Sequence, residues 1–437
     1  MYIWGELAPA TGTLLQELSR NNEIVQVKVD GVSDVPNEMC NALDVSINNP
    51  ASLTPMFSEV KNTRKERINL RIINDDEVIS DWPRLLGEAL AGTTSLTTLD
   101  LTVSNYTMNS GIWKDLGDSL LRSSSLTVLS LTISNYSNIA EGWECMLINS
   151  LAKMESLTTL SLSVDDRGKV GKFEEDLMAV KSLSTLSVVI CGSNLNWFWG
   201  NFLRKCLEEC TSLKKFCLTR NNYEEHECNP NDAPLIPLVS DDPRKLPVTW
   251  KQGLARGLAS TSSLKELTMT INNITCTDST WGGTLIEGLS INKSVTSLTV
   301  TVSDYEYLSC EKWVPSLKRS LAENKSLTSL TLTVNDYSEV YRYEGKPYRL
   351  GLENDFPENT SLTELNLIVN IRSEVSEDWL PSFCDFLMMK CLSLKTMRLQ
   401  VCNRCATSES RIYDLSKLRL KYASLSSFEL SVTFCGE

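Results

Sequence analysis

The sequence predicts an α/β solenoid, an inner parallel sheet of about thirteen strands with helices on its outer side. Three observations predict it. The stretch SLTTLDLTVSNY, from Ser95 to Tyr106, returns thirty residues later as LTVLSLTISNY, from Leu126 to Tyr136. Aligned on Leu99, the pattern recurs at Val25, Ile68, Leu129, Leu160, Leu186, Phe216, Leu267, Leu298, Leu330, Leu365, Met397 and Phe428, most steps being 30 to 32 residues. Within each period an alternating run is followed by a run of helical period. A repeat of this length marks stacked supersecondary units, so the 437 residues are expected to form one elongated solenoid over 1–437.

Each repeat opens with a strand. Leu96, Leu99, Leu101 and Val103 fall on one side, and Thr98, Asp100 and Thr102 on the other. Period two with many β-branched residues gives a strand of about five to seven residues. A turn is expected six residues past the anchor, where Asn74, Asn105, Asn135, Asp166, Asn222, Asn273, Asp304, Asp336 and Asn403 stand. Short amides and carboxylates bond neighbouring backbone N–H groups in turns. Some fourteen residues past the anchor a Trp recurs, at Trp82, Trp113, Trp143, Trp281, Trp313 and Trp379; Trp250 holds the same place, with Trp197 or Trp199 in a shorter repeat. From Trp113, the apolar residues Leu116, Leu120 and Leu121 follow at i+3, i+7 and i+8, one face of a helix of about three turns. The Trp is expected in the core. Strand, turn, helix and return make all strands parallel. Helices are wider than the strand spacing of roughly 4.8 Å, so the stack is expected to bend into a horseshoe.

The period breaks at about 30–62, around Pro36 and Pro50, at 219–249, which holds five prolines, and at 335–360. Irregular insertions are expected there. Neither end carries a polar cap, so a partial chain is expected, with an effector function in its missing part.

The Leu spacing of Leu327-Thr328-Ser329-Leu330-Thr331-Leu332 resembles the leucine-rich repeat. Asn292-Lys293-Ser294, Asn324-Lys325-Ser326 and Asn359-Thr360-Ser361 resemble the helix ends of ribonuclease-inhibitor-like repeats, found at the C-terminal end of animal NACHT-type (NOD-like) receptors. Two departures stand out: the Asn sits one place later than the usual ladder Asn, and the period exceeds the family's. The resemblance implies an intracellular innate immune receptor whose repeats sense a protein ligand or hold an effector domain inactive by intramolecular contact. A free-standing scaffold or inhibitor, like the ribonuclease inhibitor, is the second expectation. A secreted, glycosylated adhesion protein is the third. No Gly-x-x-x-x-Gly-Lys-Ser/Thr phosphate loop occurs.

A net charge of -13 argues against nucleic acid and against polybasic membrane contact, and suits a basic protein partner. No apolar run approaches the roughly 18 residues of a membrane helix. Met1-Tyr2-Ile3-Trp4-Gly5-Glu6 lacks a basic leader region. A cytoplasmic chain with reduced thiols is expected. The six Asn-x-Ser/Thr sequons, at Asn105, Asn135, Asn273, Asn292, Asn324 and Asn359, are about as many as chance supplies in this composition. The sole histidine, His226, lies in the second insertion. Cys402-Asn403-Arg404-Cys405 is a lone C-x-x-C, and Asp75-Asp76 and Asp165-Asp166 are expected in solvated turns. No catalysis, metal or cofactor is expected.

Binding is expected on the outward side of the strands. Thr and Ser dominate there, and the anchoring chemistry of interfaces, Arg and aromatic residues, is sparse: Arg67, Arg71, Lys215 and Arg398, with Glu364 and Glu429 as acids nearby. The densest cluster is Tyr341, Arg342, Tyr343, Tyr348 and Arg349 in the third insertion. That loop and the adjoining sheet edge are the expected protein contact. The Tyr of Asn105-Tyr106 and its equivalents at 136, 223, 305 and 337 is expected to pack over the turn.

Overall fold

A computed structural model describes residues 2–3, 26–27, 42–47, 66–74, 82–105, 110–135, 143–166, 178–191, 197–221, 250–272, 288–304, 310–336, 358–371, 390–403 and 425–434. They divide into two compact units, Met1–Phe198 and Trp199–Glu437. Each is a leucine-rich-repeat solenoid of α/β class.

In the first unit, β3 (Ala42–Ile47), β4 (Arg67–Asn74), β5 (Thr98–Asn105), β6 (Val128–Asn135), β7 (Thr159–Asp166) and β8 (Thr185–Cys191) lie in sequence order, each parallel to the next. In the second, β9 (Lys215–Asn221), β10 (Glu266–Asn272), β11 (Ser297–Asp304), β12 (Ser329–Asp336), β13 (Glu364–Ile371), β14 (Thr396–Asn403) and β15 (Ser427–Phe434) do the same. Two short strands, β1 (Tyr2–Ile3) and β2 (Gln26–Val27), pair with each other in a separate parallel sheet.

The anchors align as the repeat predicts. Ile68, Leu99, Leu129, Leu160 and Leu186 are successive partners, as are Phe216, Leu267, Leu298, Leu330, Leu365, Met397 and Phe428. The first position differs. Ile68 pairs with Leu43 of β3, not with the Val25 repeat, and β3 lies inside the stretch expected to be irregular. Leu43, Val45 and Ile47 already alternate in the sequence, and the step of 25 to Ile68 resembles the 26 from Leu160 to Leu186. Pro36 and Pro50 obscured this strand because both are turn formers.

Alternation then divides the side chains. From β4 to β14 the anchors and the residues two and four beyond them are buried, for instance Leu99, Leu101 and Val103 at 0–1% exposure, while Phe428 on β15 is half-buried. Intervening residues are half-buried along β8, whereas charged ones such as Arg67, Arg71, Lys215, Glu364 and Arg398 are exposed. Against the buried face pack apolar stripes of α1 (Trp82–Ala91), α2 (Ser110–Leu120), α3 (Trp143–Leu151), α4 (Trp197–Glu209), α5 (Trp250–Ser260) and α6 (Cys310–Glu323). Trp82, Trp113, Trp199 and Trp250 are buried, as expected of the recurring Trp. Leu116 and Leu120 are buried with them, while Leu121 lies just past the end of α2 and is half-buried. No helix among the described residues is long and apolar enough to cross a membrane.

Side-chain hydrogen bonds tie each repeat to the one before. Two residues before the anchor, wherever Thr or Ser stands there and not Lys214, Lys265 or Lys395, the hydroxyl donates to the backbone carbonyl of the equivalent residue one repeat earlier. Examples are Thr127 Oγ1 to Thr97 O at 3.2 Å and Thr328 Oγ1 to Thr296 O at 3.1 Å. The same carbonyl also accepts two backbone N–H groups, those of Thr127 and Val128 on Thr97 O, both at 2.9 Å. Four residues before the anchor a second row of hydroxyls does likewise: Ser125 Oγ to Leu96 O at 2.6 Å, Ser182 to Leu157 O at 2.6 Å, Ser326 to Val295 O at 2.8 Å.

Six residues before the anchor, three successive repeats of the second unit carry a buried Asn. Asn324 Nδ2 donates to Leu289 O at 2.6 Å and Asn292 O at 3.0 Å, while its Oδ1 accepts from the N–H groups of Ser326 and Leu327 at 2.9 and 2.8 Å. Asn292 Nδ2 donates to Leu258 O and Thr261 O at 2.7 and 3.0 Å, and Asn359 Nδ2 to Leu321 O at 2.6 Å. One amide thus closes the helix carbonyls of the preceding repeat and the turn into its own strand, the orphan groups that a helix end leaves.

Helices approach closely where glycine stands. A Cβ on Gly87 would lie 2.7 Å from Ser119 Oγ, which donates to Pro83 O. A Cβ on Gly253 of α5 would meet Gly200 O of α4 at 1.9 Å. Gly253→Ala is therefore expected to separate α4 from α5 and to lower stability by about 1–3 kcal/mol, read from urea unfolding followed by circular dichroism. Asn324→Ala strips five side-chain hydrogen bonds and is expected to cost at least about 1–3 kcal/mol, the penalty for leaving a buried polar group unsatisfied. Asn324→Asp should cost more, since carboxylate oxygen would face the carbonyls of Leu289 and Asn292. The same unfolding series ranks the two.

Candidate binding face

The residues one before, one after and three after each anchor form the open face of the sheet. In the first unit this face begins with Arg67, Asn69 and Arg71 on β4. Arg67 reaches across to β5, where Asp100 Oδ2 accepts from its Nε and Nη2 at 2.8 and 2.6 Å, and its Nε also donates to Asn69 Oδ1 at 3.3 Å. Arg71 is exposed four residues along the same strand side.

In the second unit Lys215 and Glu266 are register partners on β9 and β10, with Nζ and Oε2 2.8 Å apart. Arg398 and Glu429 are partners on β14 and β15, with Nη2 and Oε2 2.6 Å apart. Glu364 opens β13 and is exposed, beside Ser329 and Thr396 and one register step from Arg398. Glu364, Arg398 and Glu429 thus share one corner of the face. Lys215 stands four strands away from Glu364, about 19 Å at the usual strand spacing. Between them, Ser297, Ser329, Thr268, Thr299, Thr331, Thr270, Thr301 and Thr333 form an uncharged field of half-buried hydroxyls.

The residues singled out as anchors are therefore met by acids on adjacent strands at Arg67, Lys215 and Arg398. Exposed pairs of this kind contribute roughly 0–1 kcal/mol each. Their side chains stay half or more exposed except Asp100, so a partner can compete for either member. Tyr341, Arg342, Tyr343, Tyr348 and Arg349, the Tyr following each ladder residue, His226 and Cys405 lie outside the described residues.

Of the Asn and Asp expected in turns, Asn74, Asn105, Asn135, Asp166, Asp304, Asp336 and Asn403 stand instead at strand ends, and Asn222 and Asn273 lie outside the described residues. Asn105 pairs in register with Asn135 and Asp304 with Asp336, and Asp165 and Asp166 close β7. The observed amide ladder runs one position earlier. Asn272 Nδ2 donates to Asn221 Oδ1 at 2.6 Å, Asn335 Nδ2 to Ser303 Oγ at 3.0 Å, and Asn370 Nδ2 to Asn335 Oδ1 at 2.7 Å. The strand continues one residue past the ladder, which is why the commoner Asn column reads one place late.

One feature of the second unit escaped the sequence reading. Four residues past the anchor every aligned repeat carries Ile or Val except at Arg220, whose register partner is Ile271. Arg220 is 6% exposed, and its guanidinium carbon sits 5.6 Å from the Trp250 ring centroid, with Lys251 Nζ 5.8 Å from the same ring. Cations over an indole face are attracted by its quadrupole. Burial lowers the pKa of the Arg220 guanidinium. Burial, and then the charge of Arg220, push the Lys251 amine down to about 8. The broken aliphatic column was the signal that would have found it.

Among the described residues no group of three or more His, Cys, Asp and Glu is placed to hold a metal ion. No family model and no curated protein matches the chain.

The lowered pKa of Lys251 ties stability to pH. An unfolded lysine titrates near 10.4 and the folded one near 8, so between these values the unfolded chain binds the extra proton and stability rises with pH. Urea midpoints at pH 7.5 and 9.5 should show a rise in the wild type that Lys251→Gln diminishes.

Proposed function

We propose that this chain is a non-enzymatic protein-interaction module, the ligand-sensing or autoinhibitory leucine-rich-repeat part of an intracellular NACHT-type (NOD-like) innate immune receptor. The observation that carries the reading is the open face of the second unit. Charged pairs bound a broad field of hydroxyls, and register fixes every side chain of that face on a parallel sheet. A face of this kind suits recognition of a large surface by position and charge. The helix-end Asn-x-Ser segments, whose amides join successive repeats, support the resemblance to ribonuclease-inhibitor-like repeats. Partner contact extends from the corner of Glu364, Arg398 and Glu429 to the loop with Tyr341, Arg342, Tyr343, Tyr348 and Arg349. The module binds its ligand there, or holds an effector domain inactive by intramolecular contact.

A second reading, a free-standing scaffold or inhibitor of a basic protein, is favoured by the exposed carboxylate of Glu364, which has no cationic partner among the described residues, and by the net charge of -13.

Capture from native cell extract tests both. Glu364→Lys combined with Glu429→Lys is expected to reduce recovery of a specific partner at least tenfold. Replacing the five loop residues by Ser should weaken it further, and Lys318→Ser on α6 should leave it unchanged. Equal recovery by all variants would refute the face. Recovery that collapses with added salt favours the basic-partner reading.

A further inference from the structure

We propose that this fold and N-glycan transfer exclude one another at Asn292, Asn324 and Asn359, so that the chain is built to fold where such transfer does not operate. Each of the three is a formal acceptor, Asn-Lys-Ser, Asn-Lys-Ser and Asn-Thr-Ser. Transfer would join the amide Nδ2 to the sugar C1, break the bond from C1 to the oxygen of a lipid-linked pyrophosphate, and release the lipid pyrophosphate and one amide proton. The acceptor nitrogen would keep a single hydrogen.

In the folded chain that nitrogen is enclosed. Asn292 and Asn324 are 2% exposed and Asn359 0%. Both amide hydrogens of Asn292 and of Asn324 are engaged, each by two backbone carbonyls of the preceding repeat, and Asn359 donates to Leu321 O. The sequon hydroxyls are held too: Ser294, Ser326 and Ser361 Oγ lie 3.2, 3.0 and 3.1 Å from the Oδ1 of their own Asn. A glycosylated amide would lose one donor and thrust a sugar into a space closed by the neighbouring repeat. The three positions fall in consecutive repeats, so the damage would reach three adjoining interfaces. An unfolded chain offers no such protection, because its three amides are ordinary exposed acceptors. The outcome therefore depends on where folding happens. The three amides lie in the core and not on the open face, so their enclosure is independent of the proposed receptor role.

The full chain is expressed in cultured eukaryotic cells in three forms: in the cytosol, with a secretory leader, and with the leader while lipid-linked oligosaccharide synthesis is blocked. Glycan occupancy is mapped by conversion of Asn to Asp on enzymatic release, and folding by protease resistance. The cytosolic chain should be folded with all three amides unmodified. The leader-directed chain should carry glycans at the three sites and be protease-sensitive, and the block should restore the resistant form. A resistant chain bearing these glycans would overturn the proposal. So would a resistant secreted chain in which the three sites are skipped, misfolding with the amides unmodified, or failure of the block to restore folding.

Discussion

Strict register between parallel strands is the constraint on which everything else in this molecule rests. It is enforced twice over at the entrance to most strands, and by backbone N–H groups without a hydroxyl where Lys265 and Lys395 stand. Where the next repeat carries Thr or Ser, the carbonyl two residues before an anchor accepts backbone N–H groups and that hydroxyl, as Thr97 O does from Thr127 and Val128. A slip of one residue would break that three-donor contact and would also turn Leu99, Leu101 and Val103 out of the core. Because register holds, whatever side chain a repeat places beside its anchor recurs on the neighbouring strand at the strand spacing. The open face and the interior ladders are both consequences.

Much of this was written in the sequence in plain form. Leu at the anchor and two beyond, with Val or Ile at four, announces a strand buried on one side. The helical spacing of Trp113, Leu116 and Leu120 announces the stripe that covers it. Strand partners could be named because the repeat itself is the pairing rule. Other features were hidden for physical reasons. Ser125 and Thr127 read as ordinary β-formers, and nothing in their identity tells that each hydroxyl is directed at a carbonyl some thirty residues earlier. β3 was concealed by its flanking prolines. The Asn column at strand ends drew attention from the amides one residue earlier that bond one another.

The open face was legible in composition but not in its electrostatics. Arg67 and Arg398 stand out in the sequence as isolated cations. Only the register shows Arg398 opposite Glu429, and Arg67 one diagonal step from Asp100. What a partner meets is a set of paired charges bounding uncharged hydroxyls, a surface that selects by arrangement more than by net attraction. Arg220 is the inverse case. A single cation in an aliphatic column was visible in the sequence, but its meaning emerged only from its place beside Trp250 and Lys251.

Distances between nitroxide labels test the parallel, in-register stack most directly. With one label fixed at Thr268 and the second at Asn366, Arg398 or Glu429, all one residue past their anchors, the separation should lengthen by about 5 Å at each step. Separations that fail to grow in that order, or that alternate between short and long, would contradict it.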